Sequence, residues 1–356
     1  MKITAIGVNA AFATGVYDDV ITVEKAHHLF QRLLDASTAQ QITTETLAAE
    51  LAQLSEHLYR PKWQSNFLIE FDMPSKRNGT SPYRLLLDAG GDVRHALKNI
   101  GLSSTDIDGI YISHPHTDHI GGIEYMGLTT LFNPAYTLAK THWLGDQFIA
   151  DKMFLKPIWW SGPPAEAKPD IFVHRKVLEP LKRSVGPGLD TVQGIPNVSL
   201  ETYFDIHIIG KQENGDTKTW TFQDGDGQWT ITPIFAMHVI SSAEEMASYG
   251  LSLEYSDEHG RHYNILMPTD TQHMLPPQLE LHYKRADRIY MDCETSKQPS
   301  GVHPHISELI HQMAPELQQK CLLYHYDAYP DVPEGMFYGI LKTGDFHIYP
   351  PENILA

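Results

Sequence analysis

The feature that most constrains this chain is a short apolar run that ends in a cluster of metal-binding side-chain types. Ile107-Asp108-Gly109-Ile110-Tyr111-Ile112-Ser113 is β-branched and aromatic with turn formers at its head, and it runs directly into His114-Pro115-His116-Thr117-Asp118-His119. The first part reads as a buried strand and the second as the loop at its end. In extended chain His114 and His116 project to one side, and the next turn carries Asp118 and His119 toward a second position. Gly121 and Gly122 permit a close-packed exit into a helix starting near Ile123. A lone histidine among the 20 in the chain would be an ordinary core or surface residue. Three His and one Asp within six positions would instead gather like charge on protonation and leave polar groups to satisfy on burial, so the cluster reads as metal ligands. Imidazole nitrogens with a carboxylate suit zinc, and also manganese, iron or nickel.

The pattern His-x-His-x-Asp-His followed by Gly-Gly resembles the metallo-β-lactamase superfamily, and other segments follow that family's order of motifs. Met1 to Gly7 is similar to its first strand and glycine turn, and Ser65 to Phe71 to its second strand. Leu85-Leu86-Leu87-Asp88-Ala89-Gly90-Gly91 is similar to the strand ending in Asp-x-Gly, whose Asp orients the metal loop rather than binding metal. Trp229 to His238 is a strand pattern ending in histidine; the resemblance selects His238 as the third histidine of the first metal, over His142 and His262. Asn264 to Thr271 is similar to the strand that closes on Gly-Asp-Thr, with Thr269 standing where relatives carry Gly, and implies that Asp270 bridges two ions. Lys320 to Tyr326 resembles the last ligand strand, so His325 completes the second site. The resemblance implies an α/β fold, a four-layer αββα metallo-β-lactamase sandwich with a helical insertion near the N-terminus. It further implies two divalent metal ions, zinc first, held by His114, His116, Asp118, His119, His238, Asp270 and His325, with a shared water as nucleophile and Asp118 as its proton acceptor.

The branch of the superfamily is also legible. Ala286 to Thr295 is similar to the Ala-Asp-x-x-(apolar)-x-Glu-Ala-Thr segment of ribonuclease Z and related phosphodiesterases, and His305-Ile306-Ser307 resembles their His-x-(Ser/Thr) at a helix start. The resemblance implies a histidine that donates a proton to the leaving group. Both His303 and His305 of Val302-His303-Pro304-His305 are candidates, and the alternative is that they merely flank a helix capped by Ser307.

Composition narrows the substrate. With 44 acidic against 27 Lys plus Arg residues the formal charge is -17, which opposes a general grip on long nucleic acid. Cys293 and Cys321 give no disulfide framework, and no signal peptide or run of 18 apolar residues is visible. The expectation is a cytoplasmic protein without membrane contact. The family motifs run from Ile3 to His325, so residues 1–356 are expected to form one domain with two surplus segments. The first, 12–64, carries helical apolar spacing in Val23 to Ala36 and Thr44 to Tyr59, suited to a helical hairpin beside the site or at a homodimer contact, or to packing alone. The second, 141–168, holds Trp143, Phe148, Phe154, Trp159 and Trp160, suited to a lid or an aromatic wall, or to loop packing.

The function expected is hydrolysis of a small-molecule phosphodiester, a cyclic nucleotide among the candidates. Three alternatives stand beside it. A ribonuclease Z-like endonuclease would need a basic, Gly-rich arm that the chain does not display. A lactone or thioester hydrolase would use the same ligands without a phosphate-facing histidine. A metal-bound but inactive binding protein would not need every ligand position filled.

Overall fold

The computed structural model describes residues 1–10, 31, 63–131, 168–191, 197–240, 246–272 and 277–352. Apart from Gln31, Trp63, Gln64 and Lys168, the two surplus segments 12–64 and 141–168 lie outside the described residues, and so do Trp159 and Trp160.

The strands are β1 (Lys2–Gly7), β2 (Asn66–Phe71), β3 (Tyr83–Leu87), β4 (Gly109–Ile112), β5 (Asp170–His174), β6 (Asp205–Lys211), β7 (Thr217–Lys218), β8 (Trp220–Asp224), β9 (Gly227–Ala236), β10 (Ser248–Asp257), β11 (His262–Met267), β12 (Arg288–Asp292), β13 (Cys321–Tyr324), β14 (Gly339–Ile340) and β15 (Phe346–Ile348). They form two sheets, ordered β15-β1-β2-β3-β4-β5-β6-β7 and β14-β13-β12-β11-β10-β9-β8. The pairs from β3 to β6 and from β11 to β14 are parallel.

Strand alternation sorts the side chains into layers. Leu85, Leu87, Tyr111 and Phe172 of the first sheet meet Ile265, Met267, Tyr290 and Leu322 of the second in one buried core between the sheets. The intervening Leu86, Ile110, Ile112, Ile171 and Val173 face the other way, into a core shared with residues of α1 (Val93–Asn99), α2 (Thr117–Ile120), α3 (Ile123–Leu131), α4 (Arg175–Leu189) and α5 (Leu200–Tyr203). On the far side of the second sheet Leu266, Ile289, Met291 and Leu323 pack against α6 (Pro277–Arg285) and α7 (Ile306–Gln312). Both faces of each parallel run are thus covered, as near-continuous apolar strands require. The result is the expected αββα sandwich.

This arrangement fixes where chemistry can sit. Segments that leave β3, β4, β9, β11 and β13 carry Asp88, the His114 to His119 loop, His238, Asp270 and His325 respectively, and Asp292 is the last residue of β12. Those strands run the same way within each sheet, so the polar residues gather at one edge of the sandwich, outside the carboxyl ends of the strands. Among the described residues no helix is long and apolar enough to cross a membrane.

Candidate metal centre

The loop after β4 builds the first half of the site. His116 stands at the N-terminal boundary of α2, and its carbonyl accepts from the His119 amide at 3.0 Å. One short turn therefore buries Asp118 and His119 beside His114. The turn is packed too closely for side chains at neighbouring positions: a Cβ on Gly90 would lie 2.2 Å from the Asp118 carbonyl oxygen. Glycine is required there by space rather than by dihedral.

Three overlapping groups of potential ligands result, one of which, Asp270, Asp292, His303 and His325, shares Asp270 and His325 with the others. His114, His116, His238 and Asp270 converge on one point, and Asp118, His119, Asp270 and His325 on another, with Asp270 common to both. In the first group Nδ1 of His116 is 3.1 Å from Nε2 of His114 and 3.1 Å from Nε2 of His238. Oδ2 of Asp270 is 3.7 Å from His114 Nε2 and 3.6 Å from His238 Nε2. In the second, His119 Nε2 is 3.3 Å from Asp118 Oδ2 and 3.2 Å from Asp270 Oδ2, and His325 Nε2 is 3.8 and 3.7 Å from Asp118 Oδ2 and Asp270 Oδ1. Ligands about 2.0–2.1 Å from a tetrahedral cation stand roughly 3.3 Å apart, so both groups have the span of such a site.

The tautomers point the same way. His119 Nδ1 donates to Asp88 Oδ2 at 2.8 Å, and His238 Nδ1 donates to the Val302 carbonyl at 3.0 Å. Ser113 Oγ donates to Asp88 Oδ2 at 2.7 Å, which leaves it to accept from His114 Nδ1 at 2.9 Å. His325 Nδ1 lies 3.2 Å from Asp292 Oδ1. In His114, His119 and His238 the proton is held on Nδ1 and the lone pair of Nε2 is directed inward, as ligation requires, whereas His116 turns Nδ1 inward and neither nitrogen of His325 makes a hydrogen bond among the described residues. His119 Nε2, His325 Nε2 and Asp270 Oδ1 are buried and have no hydrogen-bond partner among the described residues. Such orphans are expensive unless a cation satisfies them.

Electrostatics separate the two groups. Burial and the neighbouring imidazoles push His114 well below the usual histidine range, and burial pushes His238 down to about 4, so the first group offers neutral rings. Burial would lower His119 and His325 as well, but Asp270 and the other carboxylates around them hold both well above that range. The second group therefore demands positive charge. A divalent cation supplies it in place of protons, and the residues fit such an ion.

The other expected residues separate cleanly. Asp88 takes no place in either group; its Oδ1 accepts from the Ser113 amide at 2.8 Å while Oδ2 orients Ser113 and His119. Of the two candidate donors, His303 lies at the centre, with its ring 5.1 Å from that of His238 and 4.7 Å from that of His325. His305 does not: it is the N-cap of α7, its Nδ1 accepts from the Ser307 amide at 3.2 Å, and its Nε2 is 2.9 Å from the Ser296 carbonyl. Both its nitrogens serve the loop and its cap. Of the rivals for the His238 position, His262 is exposed at the start of β11, and His142 lies outside the described residues.

Sequence reasoning gave Asp292 no role. It is fully buried, and its Oδ2 accepts from His303 Nδ1 at 2.7 Å. Burial lowers an imidazole, yet Asp292 holds His303 above the usual range. Its signal was present: Asp292 ends the apolar strand β12 just as Asp88 follows β3 and Asp270 follows β11.

Sandwich, strand-end site and paired ligand groups together define a metallo-β-lactamase fold with a candidate metal centre. The fold matches YhfI of Bacillus subtilis, described as a metallo-β-lactamase fold protein, with a TM-score of 0.50 over 98% of this chain and 99% of that one, at 16% identity. A family model, "Anti-Pycsar protein Apyc1", matches residues 55–161 and 153–345. The chain belongs to this Apyc1 family. Relatives carrying that name include one from Bacillus phage BSP38, 26% identical over 251 residues (69% of this chain, 79% of the relative), and one from Paenibacillus xerothermodurans, 23% identical over 246 residues (69% and 77%).

Proposed function

We propose that the chain hydrolyses a small phosphodiester, with a cyclic nucleotide as the preferred substrate class. The observation that carries this reading is the His303–Asp292 pair placed against both ligand groups, because a proton donor beside two cation positions is what cleavage of a phosphate ester with an alkoxide leaving group needs. His114, His116, His238 and Asp270 would hold one divalent cation, and Asp118, His119, Asp270 and His325 a second, zinc first among the suited metals. Bound there, the pair would bring a shared water toward neutral pKa and withdraw charge from the phosphoryl oxygens.

The chain's own residues do the rest. Asp118 orients the attacking water and accepts its proton. Asp292 holds the proton on His303 Nδ1 and stabilises the imidazolium, so that Nε2–H is free to protonate the departing alkoxide. Asp88 keeps His119, and through Ser113 also His114, in the ligating tautomer. The formal charge of -17 favours a small nucleotide over a polynucleotide, whose grip depends on cationic tracking. Membership of the Apyc1 family is in keeping with that choice.

A turnover screen with zinc-loaded protein tests the reading. Cyclic nucleotides and bis(4-nitrophenyl) phosphate should be cleaved. Rapid lactone or thioester turnover with no phosphodiester cleavage would overturn it.

A further inference from the structure

We propose that Glu294 and Ser300 form a clamp that positions two residues of the site at once: His238 of the first ligand group and the proton donor His303. The second half of this proposal rests on His303 being the donor; the first half does not.

The loop from Thr295 to Pro304 leaves the sheet just beyond β12 and returns to α7. Glu294, at its start, is 8% exposed. Its carboxylate has no Lys or Arg partner among the described residues and is satisfied by neutral donors of its own loop. The Ser300 amide donates to Oε1 and to Oε2, 2.9 Å from each, Ser300 Oγ donates to Oε2 at 2.9 Å, and Ser296 Oγ donates to Oε1. A buried carboxylate held only this way is costly unless the geometry is kept, so the loop is closed on itself at Ser300.

Beyond Ser300 the chain reaches the site. The Val302 amide donates to Ser300 Oγ at 3.2 Å, and the Val302 carbonyl accepts from His238 Nδ1 at 3.0 Å. The next residue is His303. Two sets of hydrogen bonds thus meet at Val302: Ser300, itself held by Glu294, fixes its amide, and on the other side of Cα its carbonyl accepts from the imidazole of a proposed ligand, so the clamp acts by holding the position of this residue. The two ends of the loop are tied to each other, the Glu294 amide donating to the Pro304 carbonyl at 2.9 Å, and its start is tied to the segment after β13, Thr295 Oγ1 donating to the Ala328 carbonyl, three residues past His325, at 2.8 Å. If the clamp opens, His238 loses the acceptor that fixes its tautomer, and His303 loses its approach to the substrate. Glu294 and Ser300 touch neither metal nor substrate; they act as positioning residues.

The test uses the zinc-loaded full-length protein and four variants, Glu294→Ala, Glu294→Gln, Ser300→Ala and His303→Ala. Two quantities are read: the rate of zinc transfer to a chromogenic chelator, and the ratio of turnover on a cyclic nucleotide to turnover on bis(4-nitrophenyl) phosphate, whose leaving group needs little protonation. Loss of a supporting partner weakens metal retention by about 10 to 100-fold. Glu294→Ala should speed release of zinc by at least about tenfold and depress the ratio. Glu294→Gln, which keeps one accepting oxygen, should recover much of both. Ser300 is exposed, so Ser300→Ala should fold and show the same two changes in weaker form. His303→Ala should depress the ratio alone. Native zinc release and a native ratio in Ser300→Ala and Glu294→Ala, with the ratio depressed in His303→Ala, would overturn the clamp and leave the donor standing. Faster zinc release in the clamp variants with no change of ratio in His303→Ala would sustain the hold on His238 and remove the donor reading.

Discussion

Two polar clusters sit at opposite ends of the first sheet, both built from Asp and His, and they solve burial in opposite ways. At the amino ends of the strands Asp170 accepts from Lys76 Nζ at 2.8 Å, Tyr83 Oη at 2.8 Å and His207 Nε2 at 2.9 Å, while Lys76 also pairs with Asp205. Every acceptor meets a proton-bearing donor, so the cluster is complete as it stands. At the carboxyl ends Asp118 and Asp270 face the rings of His119 and His325, and Nε2 of both rings and Oδ1 of Asp270 are buried without a hydrogen-bond partner among the described residues. Lys76 and Tyr83 supply fixed donors at the first end, and the ligand groups at the second contain only His and Asp. The closed cluster serves the fold, and the open one asks for cations.

That contrast is sharpest in the largest expected effect. Asp118→Ala should abolish phosphodiester turnover, since it removes a proposed ligand and the proton acceptor together, and the fold should survive because the residue lies in a short turn at the edge of the sandwich. Full activity in this variant would misplace the chemistry. Next, Asp88→Ala frees the outer nitrogens of His119 and, through Ser113, of His114; zinc affinity measured by competition should fall by about 10 to 100-fold.

The closed cluster should behave in reverse. Asp170→Asn should leave zinc content untouched and lower stability by about 1–3 kcal/mol in denaturant titration, because Lys76 and His207 lose a charged acceptor. Burial tends to raise Asp170, but His207, Lys76 and Tyr83 hold it below the usual carboxylate range. A depressed folded pKa means that the contribution is present above about pH 3.9 and is lost as pH falls through the folded value. The native protein should accordingly lose stability on acidification more steeply than Asp170→Asn. A parallel pair of acid curves would show that Asp170 does not hold the fold together in this way.

How much of this was legible in the sequence depends on how each candidate ligand is delivered. His114, His116, Asp118 and His119 are contiguous, and an apolar strand announces them. His238, Asp270 and His325 are single residues, found only because each follows a strand in the order the resemblance implies. Asp292 obeys the same rule but is embedded in a motif read for other residues. His303 and His305 could not be separated on sequence, because both flank one helix start and only the path of the loop decides which is turned inward. The hydrogen bonds of Ser113 and the Val302 carbonyl carry no sequence signature, since they depend on register between distant strands.

Thr269 is a departure that the structure makes physical. It has φ 58°, and with Asp88 at 63° and His325 at 64° three residues in or beside the ligand groups occupy the left-handed region where glycine is favoured. A β-branched residue there is strained, and related backbone strain costs on the order of 1–3 kcal/mol. Thr269→Gly should relieve part of this, partly offset by about 0.5–1 kcal/mol of glycine's added freedom in the unfolded chain, giving a small gain in melting temperature. A clear loss would show that the Thr269 hydroxyl, which donates to the Pro268 carbonyl at 2.6 Å, outweighs the strain.

The central claim is that the open cluster is a two-cation site, and metal content tests it most directly. Elemental analysis of protein purified without added metal, and again after zinc reconstitution and desalting, should find about two transition-metal equivalents per chain, falling when Asp270, the residue shared by both groups, is changed to Ala. A chain that retains no transition metal even after reconstitution would contradict it.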